Sequence, residues 1–278
     1  MSLSFTSLNS GSNGNCYYVA SQHDAVLIDA GISCRETERR MARLGLTMQK
    51  VKAIFISHEH SDHIKGVEVL ARKYCIPVYI TAATLRSSRL TIDNSLLRDF
   101  RAYNATSIGD LSITAFPKFH DASEPHSFVV SGHGVNIGVL TDIGVPCSHV
   151  VEQFSKCNAA FLEANYDDEM LHNGHYPFHL KRRISGGKGH LSNKQALDLF
   201  LKCRSSSLSH IILSHLSKEN NCPDLVQQLF ASYAGSTTVT VASRYEETPL
   251  FSIGEESMLT QSRKEAACSK HAFQASLF

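Results

Sequence analysis

Four side chains that could bind a metal ion lie within six positions of the chain, directly after an apolar segment of strand length. The apolar segment covers residues 51–57, and the side chains that follow it are His58, His60, Asp62 and His63. In an extended chain His58 and His60 point to the same side, whereas Asp62 and His63 fall where a helix is expected to begin. A solvated polar turn that caps a helix is the alternative, but it explains neither the number nor the spacing of these residues. Imidazole and carboxylate ligands of this kind favour catalytic zinc, manganese or iron over a closed structural site.

The elements around this cluster are predicted from alternating apolar segments and helical periods. Helices are expected over residues 37–46, 64–74, 192–203 and 223–232, and residues 82–104 are helical or irregular. Strands are expected over residues 3–8, 16–20, 25–28, 51–57, 76–81, 106–108, 111–119, 127–131, 135–140, 158–162, 210–213 and, as the last strand, 237–241. This order suits an α+β protein in which two packed sheets carry helices on their outer faces.

The composition excludes several classes of protein. The chain has 278 residues, 27 Lys+Arg and 26 Asp+Glu, and 42% of its residues are hydrophobic, which is enough for a sizeable core. A net charge of +1 excludes a strongly cationic nucleic-acid wrapper but leaves room for a local basic groove. No apolar stretch approaches the roughly 20 residues that span a bilayer, and the first residues do not resemble a signal peptide. The eight cysteines form no close pairs and are expected to be reduced, so a cytoplasmic protein is predicted.

The pattern His58-x-His60-x-Asp62-His63 resembles the signature of the metallo-β-lactamase superfamily. The resemblance implies a four-layer αββα sandwich with a two-metal site on its rim, in which a later His, Asp and His each follow a strand. His120, Asp142 and His215 occupy those places in order. The resemblance therefore implies a first metal held by His58, His60 and His120, a second held by Asp62, His63 and His215, and Asp142 as the bridge between them.

Further segments narrow the resemblance to one branch of the superfamily. Residues 8–16, 163–167, 189–193, 213–217 and 219–221 are similar to the YycJ/WalJ-type branch of bacterial exonucleases, and the resemblance covers roughly residues 3–253. It implies a dinuclear metal-dependent hydrolase, a 5′-to-3′ DNA exonuclease that uses a hydroxide shared by two divalent ions (Zn or Mn, with Fe as an alternative). A thioester or lactone hydrolase on the same fold and an RNA-processing nuclease are the alternatives, because the fold alone does not select the reaction.

A basic stretch supports phosphate chemistry independently. No acidic residue occurs between Glu169 and Asp198, whereas this stretch contains five Lys or Arg and four His residues. It leads to Lys188 and His190 and then to a helix start at Ser192, a setting that suits a polyanion. A solvated basic helix is the alternative. His190 is expected to contact the scissile phosphate, with a capping or ligand-orienting role as the other interpretation.

Roles are thereby predicted for individual residues and for the whole chain. Asp62, Asp142 and His190 are expected to be catalytic. The expected substrate contacts are Ser12, Asn13, Lys188, His190 and Ser192, although the loop at 10–15 could be a plain hairpin turn. Glu163 is left between orienting a ligand and pairing with the basic stretch. Residues 1–254 are expected to form the catalytic domain and 255–278 a tail. The partner expected is nucleic acid, DNA rather than RNA, with neither a membrane nor an obligate protein partner.

Overall fold

Two mixed sheets of seven strands each account for the strands of residues 1–254, the part of the chain that the computed structural model describes. The first sheet contains β1 (Ser2–Asn9), β2 (Cys16–Ala20), β3 (Ala25–Ile28), β4 (Val51–Phe55), β5 (Val78–Tyr79), β6 (Leu97–Arg98) and β14 (Phe251–Gly254). The second sheet contains β7 (Thr106–Ile108), β8 (Leu111–Pro117), β9 (His126–Gly132), β10 (Val135–Leu140), β11 (Ala159–Glu163), β12 (His210–Ser214) and β13 (Thr238–Val241).

Each sheet has an antiparallel part and a parallel part. The order is β14-β1-β2-β3-β4-β5-β6 in the first sheet and β13-β12-β11-β10-β9-β8-β7 in the second. Pairing is parallel from β3 to β6 and from β10 to β13, and antiparallel elsewhere. The central strands β2, β3 and β11 are buried along their whole length, as expected for strands covered on both faces.

Helices cover the outer face of both sheets. They are α1 (Cys34–Arg43), α2 (Ser61–Ile64), α3 (Val67–Tyr74), α4 (Ala82–Ser87), α5 (Ser148–Phe154), α6 (Asp168–Asn173), α7 (Phe178–Ser185), α8 (Asn193–Cys203) and α9 (Pro223–Ala231). One apolar cluster lies between the sheets, a second joins the first sheet to α1 and α3, and a third joins the second sheet to α5, α8 and α9. The predicted αββα sandwich is therefore confirmed. Within the described residues, every helix is too short or too polar to cross a membrane.

Most predicted elements are present with shifted ends. The segment 82–104, expected to be helical or irregular, contains α4 but also the short strand β6, and α5, α6 and α7 were not among the predicted helices. The strands at 16–20, 25–28 and 135–140 and the capping box that starts α8 agree with the predictions. The first helix begins at Cys34, earlier than predicted, because the Ser33 side chain caps it by accepting from the backbone N–H of Glu36. The predicted strand 76–81 shrinks to Val78–Tyr79, because the Thr81 side chain caps α4.

The prediction that residues 237–241 form the last strand is wrong. β14 follows it and pairs antiparallel with β1, with Leu3 opposite Ile253. A four-residue strand with a single fully buried side chain leaves almost no periodic signal in the sequence. The predicted tail 255–278 lies outside the described residues, and its separation from the catalytic domain stays a prediction.

Arg40 on α1 ties the helix to β1 and to the loop that follows β13. Its guanidinium donates to the backbone oxygens of Leu8 (2.8 Å) and Tyr245 (2.9 Å) and pairs with Glu36 at 2.6 Å. The side chain is only 5% exposed. The two carbonyls therefore depend on this cation for these hydrogen bonds, whereas the Glu36 carboxylate is shared between Arg40 and Arg39.

Replacing Arg40 by Met is expected to lower the free energy of unfolding by about 2–4 kcal/mol, because it leaves two carbonyls and Glu36 without their buried partner. Arg39→Met is the matched control, since Arg39 also pairs with Glu36 but its side chain is 60% exposed. That variant should lose less than about 1 kcal/mol. Urea denaturation followed by circular dichroism measures both, and equal losses would contradict the structural role given to Arg40.

Candidate metal centre and active site

Three imidazoles from two parts of the chain converge on one point. His58 and His60 follow β4, and His60 is the residue directly before α2, while His120 follows β8. Nε2 of His58 lies 3.1 Å from Nδ1 of His60, which in turn lies 3.3 Å from Nε2 of His120. All three nitrogens lie within 4.8 Å of one another. The first predicted set of metal ligands is therefore assembled in space.

The spacing of these nitrogens fits a bound transition metal. Two neutral imidazoles whose ring nitrogens face each other can form one N–H···N hydrogen bond. A third nitrogen that faces the same point is then left without a hydrogen-bond partner. A tetrahedral ion with bonds of about 2.0–2.1 Å to histidine nitrogen holds its ligand atoms about 3.3 Å apart. The observed separations of 3.1 and 3.3 Å agree with this value. The donor chemistry and the geometry therefore both suit a divalent cation of the zinc or manganese type.

The second predicted set converges beside the first. Nε2 of His63 lies 3.5 Å from Oδ2 of Asp62 and 3.2 Å from Oδ2 of Asp142. Nε2 of His215 lies 3.8 Å from Oδ2 of Asp62, and its Nδ1 lies 3.0 Å from Oδ2 of Asp142. The other Asp142 oxygen, Oδ1, lies 3.8 Å from Nε2 of His120. Asp142 thus faces both sets of ligands.

Three side chains of this region sit on backbone that most residues avoid. Asp29, Asp142 and His215 have φ of 59°, 55° and 58°, in the left-handed region. Asp29 and His215 directly follow the parallel strands β3 and β12, and Asp142 is the second residue after the parallel strand β10. Strain at such positions persists only where the surrounding structure enforces it. Here the turn directs each side chain back over the carboxyl end of its own strand.

A buried carboxylate behind the ligands fixes their orientation. Asp29 accepts from the Ser57 backbone N–H (2.8 Å) and the Ser57 hydroxyl (2.8 Å), and its Oδ2 lies 2.7 Å from Nδ1 of His63. The Ser57 hydroxyl also lies 2.8 Å from Nδ1 of His58. Sequence reasoning missed Asp29, although an acid at the end of a buried strand was a usable signal, as it was for Asp142. Carboxylates placed like this hold the histidine tautomer that leaves Nε2 free to bind a metal.

The loop at 10–15 is the hairpin connection between β1 and β2, and it also contacts two of the predicted ligands. Asn15 donates its amide to Oδ2 of Asp62 at 3.1 Å, and the Ser10 hydroxyl accepts from the backbone N–H of His215 at 2.7 Å. Ser12 and Asn13 are exposed at the tip, where the Asn13 amide donates to the Arg244 carbonyl. Their contact with substrate stays a prediction.

The backbone of this loop region approaches the ligand helix closely. A Cβ on Gly31 would lie 1.7 Å from the Asp62 carbonyl oxygen and 2.6 Å from the Asn15 backbone nitrogen. The Asn15 N–H donates to that same Asp62 oxygen at 2.7 Å. Only glycine fits here, and its absence of a side chain lets α2 carry Asp62 up to the loop.

Protonation in the site follows from burial and from the carboxylates. Burial lowers the pKa of His58 well below its usual value and that of His120 to about 3, so both imidazoles are neutral. Burial opposes the charge of His63 as well, but the surrounding carboxylates, Asp142 first, raise its pKa well above the usual value. Burial likewise opposes ionisation of Asp142, and the neighbouring His215 and His63 nevertheless lower its pKa well below the usual range. Neutral imidazoles and ionised carboxylates are the forms that bind metal.

A buried lysine lies beneath the rim. Lys118 donates its Nζ to the carbonyl of Thr141, the residue before Asp142, at 2.7 Å. Burial lowers the pKa of this ammonium, while four carboxylates act to raise it. These carboxylates are Asp142, Asp29, Glu163 and Asp62. No pattern in the sequence singles out Lys118. Three of the four carboxylates also raise the pKa of His63 against the effect of burial, so the pocket favours positive charge of the kind that divalent cations would supply.

His190 lies on the rim beside both sets of ligands and is anchored from behind. Its Nδ1 lies 2.8 Å from Oε1 of Glu163, and its ring centroid lies 5.3 Å from that of His120 and 5.2 Å from that of His215. Oε2 of Glu163 accepts from the backbone N–H groups of Ile143 (2.7 Å) and Leu191 (3.2 Å). The sequence left Glu163 between orienting a metal-ligating histidine and pairing with the basic stretch. In the structure it contacts His190, which is itself a member of that stretch, and holds the imidazole ring by a hydrogen bond.

The remaining predicted substrate contacts lie around His190. Lys188 is exposed, two residues before His190. Ser192 is buried, and its hydroxyl accepts from the backbone N–H of Gln195 as the cap of α8. The Ser192 hydroxyl that is predicted to contact substrate is therefore engaged as a helix cap. The substrate contacts of Lys188 and Ser192 stay predictions.

Asp29→Asn is expected to weaken metal binding by about 10- to 100-fold with little change in fold, because the amide no longer holds the His63 tautomer. Asp198→Asn is the control, since Asp198 is exposed and pairs only with Lys202. Competition with a chromophoric chelator measures the affinity of the purified variants. Unchanged affinity in Asp29→Asn would remove Asp29 from the positioning machinery.

Comparison with known proteins agrees with this geometry. Residues 24–215 match the family model of the β-lactamase superfamily domain. The chain is 36% identical over 230 residues to exodeoxyribonuclease YycJ of Bacillus anthracis, covering 82% of this chain and 87% of that protein. It is 33% identical over 226 residues to exodeoxyribonuclease WalJ of Streptococcus pneumoniae, covering 80% and 84%.

A solved structure shows the same fold. The metallo-β-lactamase fold protein YhfI from Bacillus subtilis superposes with a TM-score of 0.70 at 14% identity, over 91% of this chain and 100% of that one. The two-sheet architecture, the family match and the two relatives agree with the ligand pattern read from the sequence. The chain belongs to the metallo-β-lactamase superfamily and, within it, to the family of the YycJ and WalJ proteins.

Proposed function

We propose that this protein is a metal-dependent phosphodiesterase that removes nucleotides from DNA in the 5′-to-3′ direction. The observation that carries the proposal is the placement of His190, held by buried Glu163 beside two sets of metal ligands and next to a basic helix. The relatives YycJ and WalJ, which are named exodeoxyribonucleases, support DNA as the substrate. A DNA substrate in turn favours the cytoplasm as the site of action.

Two divalent ions, zinc or manganese with iron as an alternative, are proposed as cofactors. The first set of ligands is His58, His60 and His120, the second is Asp62, His63 and His215, and Asp142 is the shared ligand. Bound ions of this kind activate a water molecule as nucleophile and neutralise charge on a phosphate undergoing in-line attack. All other contributions come from the side chains of the chain itself.

His190 is proposed to hold the reacting phosphate. Because its Nδ1 is engaged by Glu163, its Nε2 can donate to a phosphate oxygen when the ring is protonated. Burial opposes this charge, but Glu163 raises the pKa of His190 above its usual value. The side chain is 18% exposed at the rim. Glu163 is fully buried and held by two backbone N–H groups, so the imidazole is fixed before substrate arrives. A donor fixed in advance stabilises developing charge without reorganisation in the transition state.

The basic stretch is proposed to position the polynucleotide. All side chains of α7 are at least partly exposed, and Arg183 reaches Asp121, next to His120, with Nε 2.6 Å from Oδ2. Arg182 and Lys188 are exposed on the same approach to His190. Cations of this kind bind backbone phosphates without reading sequence, which suits an exonuclease.

The purified protein with manganese or zinc is expected to shorten DNA from its 5′ end. A 5′ label should appear at once in mononucleotides, while a 3′ label should pass through a ladder of shortening products. Asp142→Asn should reduce the rate by at least about 100-fold, because it removes the shared ligand. Asp198→Asn on the surface should retain the wild-type rate.

Each element of this proposal has a result that contradicts it. Cleavage of RNA with DNA left intact would assign an RNA-processing nuclease. Turnover of small thioesters or lactones with inert nucleic acid would assign an ester hydrolase. An immediate release of the 3′ label would reverse the polarity, and an Asp142→Asn variant as active as wild type would show that the activity comes from elsewhere.

His190→Ala is expected to lower kcat by about 100- to 1,000-fold while leaving the bound metal unchanged, since it removes one donor to the transition state. Glu163→Gln should lower kcat less, because the imidazole remains but loses its charged partner. His23→Ala, at an exposed turn, is the control. Metal analysis of each variant is essential, because Asp142, Glu163, His190 and His215 together could themselves hold an ion. Loss of metal in step with activity would make His190 a ligand instead.

A further inference from the structure

A large aromatic side chain stands in solvent on the helix that leads to the active site. Phe178 opens α7 directly after Pro177, and 78% of its surface is exposed. No residue of α7 is buried, so the ring is not the edge of a packed core. Solvent exposure of an aromatic ring costs free energy unless something binds it, which makes this position informative.

A cavity of about 560 Å³ lies beside the ring. Its apolar wall is formed by Phe178, the buried ring of Tyr166 and Leu171, a lining that suits a flat apolar group. The polar side chains around it are His172, Lys181, Arg182, Ser185 and Asp168. The volume falls in the range of ligand sites in proteins. An aromatic wall with cations on its rim matches a base attached to its phosphates.

The charge around the cavity is complementary to a polyanion. The Lys181 ammonium uses one of its three donors on the His172 carbonyl, at 2.6 Å, and retains the others. Arg182 is exposed and has no side-chain partner within hydrogen-bonding distance among the described residues. Asp168 is the acidic member of the lining, and its carboxylate can accept from the amino group of a base.

The cavity and the metal ligands are connected through α7. Phe178, Lys181 and Arg182 of this helix line the cavity. Arg183, on the same helix, contacts Asp121, whose Oδ1 is 3.4 Å from Nε2 of His120.

We propose that Phe178 and its cavity bind an unpaired base of the substrate strand beside the active site. The ring stacks on the base, while Lys181 and Arg182 contact the flanking phosphates. Bases in a duplex have both faces covered by their neighbours, so this subsite selects a single-stranded segment. The inference rests on the proposed nuclease function and adds to it the strand state of the substrate.

The absence of tryptophan from the chain permits a direct test. Phe178→Trp creates a single fluorescent indole at the proposed stacking position. In the metal-loaded protein, its emission should be quenched saturably by a phosphorothioate-linked oligothymidylate, which resists cleavage, and only weakly by a blunt duplex. Tyr233→Trp is the matched control. Tyr233 is 51% exposed and lies next to α9, with its carbonyl bound by Arg204 at the end of α8 opposite to the active site.

Affinity measurements on further variants complete the test. Phe178→Ala should weaken binding of the same oligonucleotide by about 5- to 150-fold, and Phe178→Tyr should restore it, because stacking needs only a flat ring. Equal quenching by single strand and duplex, or unchanged affinity in Phe178→Ala, would overturn the subsite. Cleavage of normal DNA by the wild-type protein is measured in parallel. Wild-type cleavage with an unquenched indole refutes the subsite alone, whereas absence of cleavage and binding refutes the nuclease proposal together with it.

Discussion

Nδ1 of His60 faces Nε2 of His58 at 3.1 Å and Nε2 of His120 at 3.3 Å, and the three nitrogens lie within 4.8 Å of one another. Beside them, four carboxylates share one buried ammonium. Neither arrangement is favourable by itself, because crowded lone pairs and buried like charges repel one another. A divalent cation would stabilise both the facing nitrogens and the buried carboxylates. The rest of the site holds these groups in place for such a cation.

The fold provides that scaffold through the carboxyl ends of its parallel strands. β3, β4, β10, β11 and β12 end near the rim between the sheets and deliver Asp29, the histidine cluster, Asp142, Glu163 and His215. Apolar side chains pack on both faces of each sheet and hold the carboxyl ends of these strands in place. The predicted ligands are therefore attached to a rigid part of the molecule. The loop at 10–15 and Arg40 then connect the rim to the first helix.

A metal site at His58, His60, Asp62 and His63 could be predicted because the types and spacing of these residues are local in the chain. The assignment of His120, Asp142 and His215 to the same site depended on the superfamily resemblance. The four-layer fold followed from apolar periods and from the superfamily resemblance. Asp29 and Lys118 were not predicted, because their roles depend on residues that are distant in the sequence. Asp29 contacts His63 and Lys118 contacts Thr141, both at 2.7 Å. β14 was not predicted because it is recognisable only from its pairing with β1, which is distant in the sequence. The cavity beside Phe178 is likewise a product of tertiary packing.

The left-handed backbone at Asp29, Asp142 and His215 narrows what evolution could place there. Outside glycine, the residues that tolerate this conformation best are Asn, Asp and His, and valine or isoleucine would be strained. Two of those three tolerant types are also ligands for divalent cations. The backbone conformation therefore restricts which residue types can occupy these positions, independently of any metal. The tolerated types include a high proportion of residues that can coordinate a metal ion. A strand end shaped this way is a ready starting point from which a metal site can arise by few substitutions.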